Sequence, residues 1–188
     1  MNVNAMQAAL IVVTVIAVAA AIFFALKAQR TQRLRERFGP EYGRAVEESG
    51  SAAKGERKLA ELEQRVARYK IRALTTAERE RYDAAWHAVQ AKFVDAPQAA
   101  LQEGDLLLNE VMTTRGYPMA DFDQQAADLS VHHATVVEHY RAGHDLTVRQ
   151  AKGHASTEDL RQAMIHYRQL FDELVNQPEV ARTKAARA

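Results

Sequence analysis

Between Ala8 and Leu26 the chain runs for nineteen residues without a charge, and Thr14 carries the only polar side chain among them. As a helix rising about 1.5 Å per residue the run would reach roughly 28 Å, close to the ~30 Å hydrocarbon thickness of a bilayer. Eleven of its residues are Leu, Ile, Val or Phe. Each contributes roughly −0.3 to −0.6 kcal/mol near the bilayer centre, so insertion is favourable overall. A cleaved signal peptide is the competing reading. It would need a basic leader, a shorter apolar core and a small-residue cleavage site beyond that core. Residues 1 to 7 contain no Lys or Arg, and although Ala19-Ala20-Ala21 resembles a cleavage motif, Ile22, Phe23 and Phe24 carry the apolar core past it. The expectation is an uncleaved transmembrane helix.

The flanking charges are lopsided. None precedes the run, whereas Lys27, Arg30, Arg33, Arg35 and Arg37 follow it against the single acid Glu36, a net +4. Basic residues close to a span are retained on the cytoplasmic side, which places the amino terminus outside and the body in the cytoplasm. The same five residues are the candidate membrane-surface contacts, because anionic headgroups attract a basic side chain by roughly 1 kcal/mol near the surface. A lipid bilayer is thus the first expected partner.

Subtracting these six charges from the chain's 25 basic and 24 acidic residues leaves 20 and 23 for residues 38 to 188, a net −3. That balance argues against a nucleic-acid partner. The absence of cysteine removes disulfides, thiol nucleophiles and thiolate metal sites. A body of this size suits one soluble domain. The expected organisation is a short extracytoplasmic segment 1–7, a transmembrane helix 8–26, a basic juxtamembrane helix and hinge 27–40, a helical bundle 41–175 and a basic flexible tail 176–188 carrying Arg182, Lys184 and Arg187.

Helical periodicity and capping chemistry dominate the body. Phe38-Gly39-Pro40 should end the juxtamembrane helix, since glycine suits a carboxy-terminal cap and proline restrains the residue before it. Glu41 to Glu48 is helix-compatible, with a break at Ser49-Gly50-Ser51. Leu59, Leu62, Val66 and Tyr69 form one stripe, and Ile71 to Leu74 a connector. Thr75 and Glu78 have capping-box spacing, opening a helix with Tyr82, Trp86, Val89 and Phe93 on one face as core. Asp95 is expected to cap the next helix, with Pro97 in its first turn and Arg115-Gly116-Tyr117-Pro118 closing it. A shorter helix through Phe122, Ala126 and Leu129 should precede a longer one capped by Ser130 and carrying Val131, Val136, Val137, Tyr140 and Val148. Gly143 weakens that helix unless close packing requires it. Ser156 and Asp159 open a final helix with Leu160, Met164, Tyr167, Phe171 and Leu174 on one face. No stretch alternates apolar and polar residues as a strand would, and no repeat of solenoid length occurs. The fold class is all-α: one amino-terminal transmembrane helix followed by a soluble antiparallel helical bundle.

Several segments together, Arg35 to Tyr42, Trp86 to Asp95, Arg115 to Pro118, Asp128 to Val131 and Ala155 to Met164, resemble a widespread family of uncharacterised bacterial membrane or secreted proteins, the similarity spanning about residues 34 to 175. The resemblance implies one amino-terminal hydrophobic segment and a helical body, in a bacterial plasma-membrane setting. It carries no catalytic residue. That family's mixed labels make an exported body the alternative location.

Reaction motifs are not found in the sequence. The four serines, at 49, 51, 130 and 156, lie outside any Gly-x-Ser-x-Gly elbow, and neither a glycine-rich phosphate loop nor a His-Glu-x-x-His pair occurs. Seven histidines include His132, His133, His139 and His144 on one helix, with Glu138 and Asp145 beside them. Their spacing misses the i, i+3 or i+4 that would let two imidazoles share an ion, so metal binding would need a site assembled from different helices, for example with His87 or His166. The sequence therefore favours a non-enzymatic, membrane-tethered interaction or scaffold module with an unidentified protein partner and no cofactor. The alternative is a membrane-anchored domain sensing a metal or small molecule through its histidines or the Tyr82, Trp86 and Phe93 stripe.

Overall fold

A computed structural model describes residues 3–176, with side chains from Leu10 onward; the tail arginines and Lys184 lie outside the described residues. The described chain is all-α, with seven helices and no strand. It divides into two compact units between Glu56 and Arg57.

The first unit is built on α1, Val3–Phe38, a single 36-residue helix about 54 Å long at ~1.5 Å per residue. Its large apolar residues from Leu10 to Leu26 stand 51–68% exposed, so none of the described residues covers them. The helix Leu10–Phe38 contains a stretch long and apolar enough to cross a membrane, an eighteen-residue window averaging a hydropathy of 2.7. The one hydroxyl in the apolar run is satisfied internally, Thr14 Oγ1 donating to the Leu10 carbonyl (2.9 Å). The helix stops at Gly39, and Pro40, which lacks the amide a first turn would leave unpaired, opens α2, Pro40–Ser49. Helix α3, Ala52–Val66, begins in this unit. A Cβ at Gly55 would fall 2.9 Å from the Val46 backbone, so only glycine permits this approach of α3 to α2. Glu56 is buried there and accepts from Thr31 Oγ1 (2.7 Å) and Tyr42 Oη (3.1 Å), which ties α3 to both α1 and α2.

In the second unit the α3 stripe Leu59, Leu62 and Val66 is buried as expected, but the helix ends before Tyr69, which belongs to the connector. Four helices follow: α4, Thr76–Asp95; α5, Pro97–Arg115; α6, Phe122–Ala151; and α7, Thr157–Asn176. The capping box at Thr75 and Glu78 is complete, with each side chain bonded to the other's backbone amide. Ser156 and Asp159 make the same reciprocal pair at α7 (3.1 and 2.8 Å).

Two capping expectations are corrected. Asp95 is the last residue of α4, and the single residue Ala96 serves both helix ends without any side-chain bond. Ser130 caps nothing: its hydroxyl donates to the Ala127 carbonyl (2.6 Å) inside a continuous α6 that starts at the Asp121 cap. The expected interruption exists three residues later as a kink at His133 (φ −132°, ψ 41°).

Side-chain registers give the topology. Lys92 pairs with Glu103, and Tyr82 meets Thr114 (2.6 Å), so α4 and α5 run antiparallel. Arg149 lies 3.5 Å from Asp159 and His133 lies 3.1 Å from Glu173, so α6 and α7 are antiparallel too. Arg115 reaches Leu174 while Gly104 faces Tyr167, which makes α5 and α7 parallel neighbours. The row α4–α5–α7–α6 closes over one core that includes Trp86, Leu101, Leu108, Val111, Leu129 and Leu170.

Gly143 is required by packing. A Cβ there would sit 2.6 Å from two ring carbons of Tyr167, a fully buried side chain with no room to retreat. Gly143→Ala should therefore destabilise the body by about 1–3 kcal/mol through overpacking, despite the ~1 kcal/mol gain in helix propensity. Urea denaturation of the two proteins checks the sign.

Candidate functional site

The five basic residues that follow the apolar run continue the same helical rod, with no break between hydrophobic and charged parts. Lys27, Arg30, Arg33 and Arg35 are exposed and Arg37 is half-buried. Arg30, Arg33 and Arg37 follow one another at spacings of three and four, which puts them along one face of α1. Arg35 lies over the Tyr42 ring, 5.1 Å from its centroid, so part of its charge is engaged within the unit. Exposed guanidinium and ammonium groups one or two turns beyond an uncovered apolar rod suit the headgroup layer of a bilayer.

The aromatic stripe is core. Tyr82, Trp86 and Val89 are buried and Phe93 is partly so. Trp86 stacks on Phe171 of α7 with centroids 4.7 Å apart, and Arg168 lies 5.8 Å from its ring.

A buried polar cluster in the second unit surrounds the Arg115-Gly116-Tyr117 turn. Gly116 takes a left-handed φ of +100°, and a side chain there would collide with the Lys70 carbonyl, so glycine is needed on both counts. The connector is pinned to this turn by the Arg72 amide, which donates to the Arg115 carbonyl (2.9 Å). Arg115 is 0% exposed. Its Nη1 donates to the Leu174 carbonyl in the last turn of α7 (2.7 Å), where a positive group complements the helix dipole. Among the described residues, Nε and Nη2 of Arg115, Tyr117 Oη and His133 Nε2 are buried with no hydrogen-bond partner. Burial pushes the Arg115 guanidinium down and the Tyr117 hydroxyl up. Beside this group Asp128, 2% exposed, accepts from Arg65 Nη2 (2.6 Å), Arg65 Nε (3.0 Å) and Tyr69 Oη (3.0 Å), fastening α3 and the connector to α6. Sequence reading missed Arg115 and Asp128 as buried charges. The one available signal was a charged residue at a core-facing helical position.

The histidines separate into different environments. His133 is buried at the kink, its Nδ1 3.1 Å from Glu173. His144 stacks on Phe122, centroids 3.6 Å apart. His87 is exposed and bonded to the Asp83 carbonyl (2.7 Å). His139 meets His166 across α6 and α7, Nδ1 to Nδ1, at 3.0 Å. Among the described residues no group of three or more His, Asp or Glu gathers as a metal cluster.

These environments set a two-stage acid response. Burial lowers the His133 pKa, Glu173 opposes that shift, and the Arg115 charge adds to it. Below about pH 6.5 the unfolded chain then takes up a proton the folded protein refuses, so stability present above that pH is lost as pH falls. Glu78 is held at about 2, first by Arg72 and then by the Thr75 backbone, and Glu158 at about 2 by Arg161 and Gln162. Their contribution is present above about pH 4.5 and lost as pH drops toward 2. Melting temperature against pH should show both declines, and His133→Gln should flatten only the upper one.

Comparison with family models, with curated proteins and with solved structures returns no match to this chain.

Proposed function

We propose that the protein is a non-catalytic, single-pass membrane protein whose helical body is tethered at the cytoplasmic face of a bacterial plasma membrane and serves as an interaction or scaffold module. The observation that carries this reading is α1: its apolar residues are uncovered over the length of a bilayer core, and the basic residues follow on the same helix. Leaving eleven large apolar side chains in water would be costly, at roughly 25 cal/mol per Å² of apolar surface. Lipid removes that cost, and the basic residues bias the body to the inner side. Tethering then raises the effective concentration of weak contacts between the body and other membrane-bound chains.

Photo-crosslinkers placed at exposed body positions such as Leu106, Met119 and Val94 test the interaction role in native membranes. A reproducible crosslinked protein, lost when the body is swapped for an unrelated helical domain on the same anchor, is the expected result. Failure of every position to capture a reproducible chain would contradict the scaffold reading while leaving the anchor untouched.

A further inference from the structure

We infer that His139 of α6 and His166 of α7 form a two-histidine site for a divalent late transition-metal ion such as Zn²⁺ or Cu²⁺. This goes beyond the tethering role and does not depend on it.

The antiparallel docking of α6 on α7 brings the two Nδ1 atoms to 3.0 Å and the ring centroids to 5.2 Å, with 29° between the planes. Two imidazole nitrogens bound at about 2.0–2.1 Å to one tetrahedral ion lie roughly 3.3 Å apart, with ring centroids about 5.2 Å apart. The unloaded pair therefore needs to open by a few tenths of an ångström, with each ring swinging so that its Nδ1 lone pair turns from the other nitrogen onto the ion. The placement is held from both sides: Gly143 lies one turn beyond His139 in close contact with Tyr167, the residue after His166, and Thr147 Oγ1 bonds Tyr167 Oη (3.0 Å). Both rings are half-buried, so neither loses its orientation to solvent.

Without metal, one Nδ1–H donates to the other nitrogen's lone pair. On binding, that ring moves its proton to Nε2 and both Nδ1 lone pairs face the ion, with no change in net protonation. With two protein ligands the remaining positions belong to water or an outside donor, and all-imidazole ligation suits Zn²⁺ and Cu²⁺ over Mg²⁺ or Ca²⁺.

Calorimetric titration of the full chain in detergent with Zn²⁺ tests the site. One saturable equivalent is expected, with affinity reduced about tenfold or more by His139→Gln or His166→Gln and unchanged by His87→Gln or His154→Gln. Cu²⁺ bound to the unaltered protein should show nitrogen superhyperfine coupling from two imidazoles, a readout that needs no variant to fold. Absence of saturable binding, binding that survives both pair substitutions, or a Cu²⁺ spectrum without two nitrogens would overturn the assignment.

Discussion

Arginine at both Val15 and Val18 should move the protein from alkali-washed membranes into the soluble or aggregated fraction. Both positions are near the middle of the apolar run and are exposed in the structure. The eleven large apolar residues together favour insertion by roughly 3–7 kcal/mol, whereas each central arginine opposes it by about 2.5–3.5 kcal/mol and removes a favourable valine as well. Two such changes are enough to cancel or reverse the preference. One would be compensated by snorkelling toward the interface. Val15→Leu with Val18→Leu is the matched control and should leave the protein in the membrane. Retention of the double-arginine chain in washed membranes would mean that something other than α1 holds it there.

Trp86→Ala should cost the body about 3–5 kcal/mol, the range for truncating a large buried aromatic. Trp86 is completely buried, stacks on Phe171 at 4.7 Å and packs beside Gly104 where α4 crosses α5, so its removal opens a hole at the junction of three helices. The indole Nε1 is buried without a partner among the described residues, so the hydrogen-bonding capacity of the ring contributes nothing there. Trp86→Phe should accordingly cost much less than the alanine change, because it preserves the stack and removes an unsatisfied donor. Chemical denaturation of the three proteins checks the order. An equal loss for alanine and phenylalanine would mean that the core depends on indole volume and not on the stack.

Local chemistry accounts for how much of this architecture was legible in the chain. Thr75 with Glu78, Ser156 with Asp159, and Gly116 before Pro118 mark helix ends because each cap is made by residues three or four apart. Ser130 and Asp95 have the right chemistry for caps but are overruled. The helix capped by Asp121 runs on through Ser130 as far as the kink at His133, and Ala96 turns the chain with only one residue between α4 and α5. At the kink the His133 ring meets Glu173, forty positions away, a partner that no local pattern announces. Pairs such as Arg65 with Asp128, Arg115 with Leu174 and His139 with His166 are set by helix docking and register. Spacing along one helix carries no information about them, and on that basis the histidines of α6 look unsuited to a shared ion.

The central claim is that α1 stays in the bilayer with the body on the inner side, and cysteine accessibility tests it most directly. The chain has no cysteine, so Lys152→Cys, at an exposed position near the end of α6, provides a single thiol on the body. In intact cells that thiol should resist a membrane-impermeant maleimide, react after lysis, and be recovered with full-length protein in the membrane fraction. Labelling in intact cells, or recovery of a trimmed soluble chain, would contradict the claim.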